Sequence, residues 1–322
     1  MAVTTAKPST ALGAEAQQIL ARPPRGLWAD AWIRLRRNKA SMASLIFIIA
    51  LALTAIFAPL IAPHNPLAQD TTNSFRQAAW IQTGGKDTGT WVYPLGTDNL
   101  GRDVFSRLIY GARVSLTVGL VPMFIVVTVG MFFGLVAGYT GGMTDNLIMR
   151  VIDILIAFPD LLLFILATAT LRDTPLGRTW NGLLLLFLVL SLLGWTGVAR
   201  LVRGEVLSVM NQPYIEAANS TGVRTGRMIT RHILPNSFVP IVVASTLGVA
   251  NAMLSDAALS FLGLGIQPPT PSWGNMLNAA QSLQVLVNEP WVWIGPGLAI
   301  ALTVLSINFL GDGLRDALDP HL

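Results

Sequence analysis

Long runs of apolar residues alternate with short charged or turn-forming segments along most of the chain. A helix needs about 20 mostly apolar residues to cross the hydrocarbon core of a bilayer. Six runs meet this requirement, at about 40–61, within 113–145, and at about 148–171, 179–199, 238–263 and 290–310. The pattern therefore predicts an all-α polytopic membrane protein with six transmembrane helices.

The second apolar run carries glycines at a regular spacing. Gly130, Gly134, Gly138 and Gly142 follow one another at every fourth position, which places them on one face of a helix. Small residues on one face allow a second helix to approach closely. We therefore expect a tight helix contact along this face.

Charged residues and a proline interrupt the third run. Pro159 is expected to kink this helix. Asp153 and Asp160 lie on one face of it, and a charge at the centre of a bilayer costs about 2.5 to 3.5 kcal/mol unless it faces protein or water. We expect Asp153 to pair with Arg150 at the membrane interface, whereas for Asp160 a place on a translocation path and a structural role are both open. Asp256, toward the far end of the fifth run, is expected to hydrogen-bond across a helix interface.

The charges between the runs predict the orientation of the chain. Cytoplasmic loops retain Lys and Arg, and twice as many of these residues lie on the side of the N-terminus as on the other side. Both termini are therefore predicted to be cytoplasmic. Residues 1–38 lack the apolar core of a signal peptide, so the first run is expected to be an uncleaved anchor. The resulting division is a cytoplasmic tail 1–39, a six-span domain 40–310 with an extracytoplasmic loop 62–111 and a cytoplasmic loop 204–235, and a cytoplasmic tail 311–322.

Composition supports the membrane assignment and excludes several classes of function. Only 12% of the residues are charged and the mean hydropathy is +0.58, against about 25% charge in a soluble domain. The net charge of +4 is small for so apolar a chain; it indicates topology rather than nucleic-acid binding. Cysteine is absent, which excludes disulfides, thiolate catalysis and cysteine-ligated metals.

Motifs for chemistry within the chain are also missing. The three histidines are too scattered to form a metal site, and neither H-E-x-x-H nor G-x-S-x-G occurs. The pair Gly85-Lys86 is followed by Asp87 rather than Ser or Thr, so no phosphate-binding loop is present. We therefore expect a non-enzymatic protein that binds no metal, nucleotide or other cofactor itself.

Residues 213–235 read PYIEAANSTGVRTGRMITRHILP and are too polar to span a membrane. Glu216, Ala217 and Ala218 favour a short helix, and Gly222 permits the turn that ends it. Arginines then recur at helical spacing, and Pro235 is expected to stop the second short helix. Such a unit suits docking into a cytoplasmic partner, although a solvated helical hairpin without a partner is equally compatible with the pattern.

The stretch from Glu216 to Pro235 resembles the EAA loop of bacterial ABC importer permeases; residues 213–235 are called the EAA segment below. Its ending, His232 to Asn236, resembles the version found in the dipeptide/oligopeptide/nickel branch. Other stretches resemble the same branch, namely PLGTDNLGRDVFSR at 94–107, DILIAFP at 153–159, ALSFLGLG at 258–265 and GDGLRDALDP at 311–320. Together they are similar to the C-type permease subunit of a peptide importer, with the type I importer permease fold.

The resemblance implies a location, partners and cargo. It places the chain in a bacterial inner membrane beside a B-type permease subunit, two cytoplasmic ATPase subunits or domains that bind ATP and Mg, and an extracytoplasmic substrate-binding protein. Dipeptides or oligopeptides are the implied cargo, with nickel chelates, glutathione or oligosaccharides as alternatives. A gradient-driven secondary transporter is the rival from another class. The implied ATPase-coupling positions are Glu216, Ala217, Ala218, Gly222, Arg224 and Pro235, while Pro159, Asp160 and Asp256 are candidates for the path or a helix interface.

One departure from the family concerns residues 70–93, which look longer than is usual. This segment, with Trp80 and Trp91, is either a larger docking surface for the binding protein or drift in a loop.

Overall fold

The computed structural model describes residues 27–82 and 88–318, and the regular structure within these ranges is helical. Most of the predicted tail 1–39, the Gly85-Lys86 pair and the last four residues lie outside the described residues. The helices are α1 Leu27–Arg37, α2 Lys39–Ile56, α3 Ala58–Ile61, α4 Val104–Thr140, α5 Gly142–Ile156, α6 Asp160–Leu171, α7 Pro175–Arg178, α8 Leu183–Met210, α9 Pro213–Ser220, α10 Thr225–Met228, α11 Leu234–Phe261, α12 Trp273–Leu277, α13 Leu283–Asn288 and α14 Pro290–Leu318.

Five helical stretches are long and apolar enough to cross a membrane, and a bent pair supplies a sixth. The five are Lys39–Ile56, Val104–Thr140, Pro175–Met210, Thr225–Phe261 and Pro290–Leu318. The pair is α5 and α6, which meet at 79° around Pro159. With the bent pair counted as one span, the number of candidate spans agrees with the six predicted. The predicted break in the third is present, because a proline at this position cannot continue the hydrogen bonding of α5.

Several helices run further than their apolar runs. Helix α4 begins at Val104 because the Asp103 carboxylate caps it, accepting from the backbone N–H groups of Phe105 at 3.2 Å and Ser106 at 3.1 Å. Helix α8 continues past its arginines to Met210, so the predicted loop 204–235 begins inside a helix. Helix α14 likewise passes residue 310 and reaches Leu318. Charges ended the runs in the sequence, but a charged residue on one side of a helix does not end the helix.

The glycine face of α4 packs against α8. A methyl group at Gly134 would lie 2.6 Å from the carbonyl oxygen of Ala199, and one at Gly130 would lie 2.7 Å from Cβ of Val198. Gly138 meets Val206 in the same way. The close approach predicted for this face holds at three of its four glycines. Gly142 instead begins α5, and nothing lies within 4 Å of the position that its Cβ would take, because the chain has already turned at the end of α4.

The connections divide between the two ends of the bundle. At one end, here called the EAA end, lie α1, the start of α5, the EAA segment and the end of α14. At the other end, residues 62–82 and 88–103 form a layer of turns that we call the cap. The cap rests on the first turn of α14, where the indole N–H of Trp291 donates to the carbonyl oxygen of Thr97 at 3.3 Å.

Candidate functional site

The EAA segment presents one exposed surface. Glu216 and Ala217 are exposed on α9, and Ala218 is half-buried at its inner edge. Gly222 follows in the turn, and Arg224 stands exposed immediately before α10. The helix, glycine turn and second short helix predicted from the sequence are all present.

Gly222 closes α9 with a Schellman motif. Its N–H donates to the carbonyl oxygen of Asn219 at 3.0 Å, and the N–H of Val223 donates to that of Ala218 at 3.3 Å. The φ of Gly222 is +75°, a conformation that L side chains rarely adopt. Nothing lies within 4 Å of the position that a Cβ would take there. Glycine is therefore needed for its backbone conformation rather than for space.

Buried side chains fasten this exposed surface to the bundle. Ile215 in α9, Met228 in α10 and Ile233 just before α11 are each 0% exposed. They belong to one apolar cluster with Val206 and Val209 of α8. The exposed face is thus packed directly onto α8 and α11 through these side chains.

Pro235 does not end the second short helix as predicted. Residues Ile229–Ile233 form a π-helical turn that leads directly into α11, and Pro235 lies in the first turn of that helix. The first turn of a helix tolerates proline because its N–H groups have no partner within the helix. The segment from Thr225 to Phe261 is consequently one continuous helical stretch.

Polar contacts that the sequence did not reveal join the two halves of the segment. The side-chain amide of Asn236 donates to the hydroxyl of Tyr214 at 3.3 Å and to the carbonyl oxygen of His232 at 2.6 Å. The Tyr214 and His232 rings lie 6.4 Å apart. The Tyr139 hydroxyl in α4 and the Thr225 hydroxyl are 3.2 Å apart. These residues are far apart in the sequence, so their contacts could not be predicted before the packing of α9 against α11 was known.

Two ion pairs connect α5 to α8 near the EAA end. Arg203 binds Asp145 with two parallel hydrogen bonds of 2.5 Å each, the geometry that makes such pairs strong. Arg200 pairs with Asp153. Arg200 is thus the partner of Asp153, rather than the Arg150 predicted from sequence proximity, because α8 packs beside α5.

A cavity of about 580 Å³ opens between α4, α6, α8 and α11. Its lining is mostly apolar, and Asp160 is the charged residue within it; Asn251 and Ser255 add polar groups. Asp160 is exposed at the start of α6, directly after Pro159. The bend at Pro159 therefore brings this carboxylate to the cavity lining, so Asp160 remains the candidate for a translocation path that the sequence left open.

Asp256 lies apart from that cavity lining. It is 2% exposed, and Oδ1 accepts a hydrogen bond of 3.0 Å from the Ser260 hydroxyl one turn along the same helix. The predicted bond across a helix interface is therefore replaced by a bond within α11, since the two residues are four apart.

The stretch 94–107 forms a tight turn at the inner edge of the cap. The Asp98 carboxylate accepts from the backbone N–H groups of Leu100 at 2.9 Å and Arg102 at 3.0 Å. It also pairs with the Nε atoms of Arg102 at 2.7 Å and Arg107 at 3.5 Å. These buried charges fix the cap to the first turns of α4.

Hydrogen bonds also join this turn to residues 70–76 of the cap. The fully buried Thr97 accepts from the N–H of Arg76 at 2.8 Å and donates to the carbonyl oxygen of Asn73 at 2.5 Å. Hydrogen bonds from Thr72 and Asn73 hold the pKa of Asp70 below its usual range. Trp91, by contrast, is 82% exposed on this ordered frame.

Comparison with known proteins places these features in context. Residues 130–322 match the family described as binding-protein-dependent transport system inner membrane component. Residues 26–79 match the N-terminal TM domain of oligopeptide transport permease C.

Relatives align along nearly the whole chain. The dipeptide transport system permease protein DppC of Alkalihalophilus pseudofirmus is 41% identical over 92% of this chain and 90% of its own length. The oligopeptide transport system permease protein OppC of Bacillus subtilis is 38% identical over 98% and 96%. The glutathione transport system permease protein GsiD of Escherichia coli is 42% identical over 92% and 91%.

The fold also occurs in a solved transporter. An inward-facing structure of the MetNI methionine ABC transporter superimposes with a TM-score of 0.53 at 18% identity, covering 67% of this chain and 97% of that one. At that identity the likeness establishes the helical arrangement alone.

Proposed function

Since the chain belongs to the family of binding-protein-dependent transport system inner membrane components, we propose that it is the C-type permease subunit of an ATP-driven importer of dipeptides or oligopeptides. The observation that carries this proposal is the exposed surface from Glu216 to Gly222, held on the bundle by fully buried side chains. A rigid polar surface so anchored suits docking to a subunit that hydrolyses ATP. The similarity to a glutathione permease makes that tripeptide a second candidate cargo.

In this proposal the EAA segment is the coupling element. Glu216, Ala217 and Arg224 offer exposed contacts to an ATPase subunit, and Gly222 sets the angle between α9 and the following turn. Closure of two ATPases would push α9, and the cluster around Ile215 would carry that displacement into α8 and α11. ATP and Mg belong to the partner subunits.

The cavity beside Asp160 is the part of the chain that we assign to the translocation path. It lies between four spans, and its volume of about 580 Å³ falls within the range for small-molecule pockets. The Asp160 carboxylate forms no ion pair with the described residues. A carboxylate in an apolar cavity favours a cationic group such as the amino terminus of a peptide.

The cap is the surface that we assign to the substrate-binding protein. Its ordered hydrogen bonding, with Trp91 exposed, supports a docking role for the long segment 70–93 over drift. A B-type permease subunit would complete the path on the open side of the cavity. The complex lies in a bacterial inner membrane with the EAA end in the cytoplasm.

Purification from native membranes tests the proposed assembly. The tagged chain should copurify with ATPase subunits and a second permease, as identified by mass spectrometry, and Gly222→Asp should lose or uncouple the ATPases. Recovery of the chain alone, with uptake driven by an ion gradient and no ATP requirement, would favour the secondary transporter instead.

A matched pair of carboxylate variants tests the path. Asp160→Asn should lower ATP-dependent uptake of a free-amino dipeptide by about tenfold in proteoliposomes holding the complete importer, because the cavity loses its charge. Asp153→Asn removes an exposed carboxylate outside the cavity and should retain most of the uptake. Equal uptake by both variants would remove Asp160 from the path without affecting the assignment of the subunit.

A further inference from the structure

Helix α1 lies at the EAA end, directly before the first span. The two helices are separated by Asn38, whose side-chain oxygen caps α2 by accepting from the N–H groups of Ala40 at 3.1 Å and Ser41 at 3.2 Å. Because α2 enters the membrane immediately after Asn38, α1 is held at the level of the bilayer surface.

One face of α1 is occupied by the protein itself. Ala31 and Leu35 are each 6% exposed and pack with Ala317 near the end of α14. A methyl group at Gly313 of α14 would lie 3.2 Å from Cδ1 of Leu35, so the contact between α1 and α14 is close. The face of α1 that points to the bundle is therefore closed to other partners.

The remaining surface of α1 combines apolar and cationic side chains. Trp32 is 41% exposed and Ile33 is 39% exposed. Each is followed one turn later by an exposed arginine, Arg36 and Arg37, and the guanidinium carbon of Arg36 stands 4.6 Å from the centre of the Trp32 ring. Lys39 adds an exposed cation at the start of α2.

The cations on this surface have no carboxylate partner within the described residues. None of the five ion pairs there includes Arg36, Arg37 or Lys39. No acidic residue occurs between Asp30 and Asp70 in the sequence. Positive charge therefore accumulates at Arg36, Arg37 and Lys39 without an ion-pair partner among the described residues.

We propose that α1 and the start of α2 form a binding site for anionic phospholipid headgroups. Arg36, Arg37 and Lys39 contact the lipid phosphate, while Trp32 and Ile33 enter the boundary between headgroups and acyl chains. A basic helix with exposed aromatic and aliphatic side chains lies in this way at bilayer interfaces. The adjoining span makes a lipid the fitting occupant, since a soluble polyanion would leave Trp32 and Ile33 unburied.

The complete importer reconstituted in nanodiscs tests this site. Phosphatidylglycerol should bind to the wild-type complex more tightly than phosphatidylcholine and raise its unfolding temperature, because the bound lipid holds α1 against α14. Binding is measured by native mass spectrometry of retained lipid across a titration. Inorganic phosphate at the same concentration should give no stabilisation.

Three sets of variants distinguish lipid binding at α1 from a general effect of the protein's net charge. Arg36→Gln with Arg37→Gln and Lys39→Gln should weaken phosphatidylglycerol binding by about 100-fold, since each basic residue near a bilayer contributes severalfold. Exchanging the same residues as Arg36→Lys, Arg37→Lys and Lys39→Arg should retain most of the binding. The matched control, Arg150→Gln with Arg227→Gln and Arg231→Gln, removes three exposed cations outside α1 and should leave phosphatidylglycerol binding unchanged.

Retention of phosphatidylglycerol tests the lipid site without depending on which cargo is transported or on how the EAA segment couples to an ATPase. Unchanged lipid retention in the glutamine variant of α1, at normal assembly of the complex, would overturn it. An equal loss in the control would also overturn it, because net charge rather than α1 would then govern binding. The conservative variant guards against a folding artefact, since it makes the same number of substitutions.

Discussion

Single residues of the EAA segment divide into those that set its shape and those that face outward. Gly222 belongs to the first kind through its φ of +75°, and Ile215, Met228 and Ile233 belong to it through complete burial. Glu216 and Ala217 are of the second kind. The two kinds respond differently to mutation, because a change of backbone conformation alters the whole segment whereas an exposed side chain alters a local contact.

Gly222→Ala should destabilise the EAA segment locally by about 1 kcal/mol, the cost of a left-handed conformation for an L-residue. Nothing lies within 4 Å of the position that the alanine Cβ would take, so steric overlap adds nothing to this cost. Amide hydrogen exchange of residues 213–235 should accelerate about fivefold. ATP-dependent uptake should fall in parallel if the segment couples.

Gly226→Ala is the control for this prediction. Gly226 lies in α10 without a positive φ and with nothing within 4 Å of its missing Cβ. Alanine favours helix there, so exchange should stay equal or slow slightly. Acceleration in both variants would show that the segment tolerates no methyl group, contrary to its open surroundings.

At the scale of elements, the contact between α4 and α8 is the main helix interface. It depends on small residues, because a Cβ at Gly134 would meet the backbone carbonyl of Ala199, which cannot rotate away. The two ion pairs between α5 and α8 add polar contacts near the EAA end. Helix α8 is thus held on two sides, and in the coupling that we propose it carries movement of the EAA segment into the spans.

Gly134→Val should weaken this interface by about 1 to 3 kcal/mol, the usual cost of overpacking. The purified protein in detergent should unfold at a lower temperature. Gly204→Ala is the matched control in α8, where nothing lies within 4 Å of the Cβ position, and it should unfold at or above the wild-type temperature. A wild-type melting curve for Gly134→Val would contradict the close approach.

At the scale of the whole molecule, the two ends of the bundle differ in chemistry. The cap is a layer of turns fixed by the buried Asp98 network. The EAA end presents α1 and the EAA segment, each of which carries three arginines. This asymmetry suits the proposed subunit, which would bind a substrate-binding protein at the cap and an ATPase subunit at the EAA end.

The absence of cysteine makes the orientation directly measurable. Trp91→Cys places a thiol on the cap, and it should react with a membrane-impermeant maleimide in intact spheroplasts. Arg224→Cys places one on the EAA end, and it should react only after the membrane is permeabilised. The reverse pattern would invert the predicted topology, since both positions are exposed.

The amino-acid sequence alone determined the class of the protein, the number of spans, the break at Pro159 and the order of α9, turn and α10. Each of these follows from local properties: the length of an apolar run, the missing N–H of proline, and the positive φ that Gly222 can adopt. The family resemblance was also readable from short contiguous stretches.

Tertiary structure decided the rest, because it depends on residues far apart in the chain. Only the packing of α8 beside α5 chose Arg200 over Arg150 as the partner of Asp153. The 79° bend between α5 and α6 places Asp160 in the lining of the cavity. The π-helical turn before α11 places Pro235 in the first turn of that helix, so it does not end the helical stretch. Pairings of this kind are set by the angles between helices, which local sequence patterns do not encode.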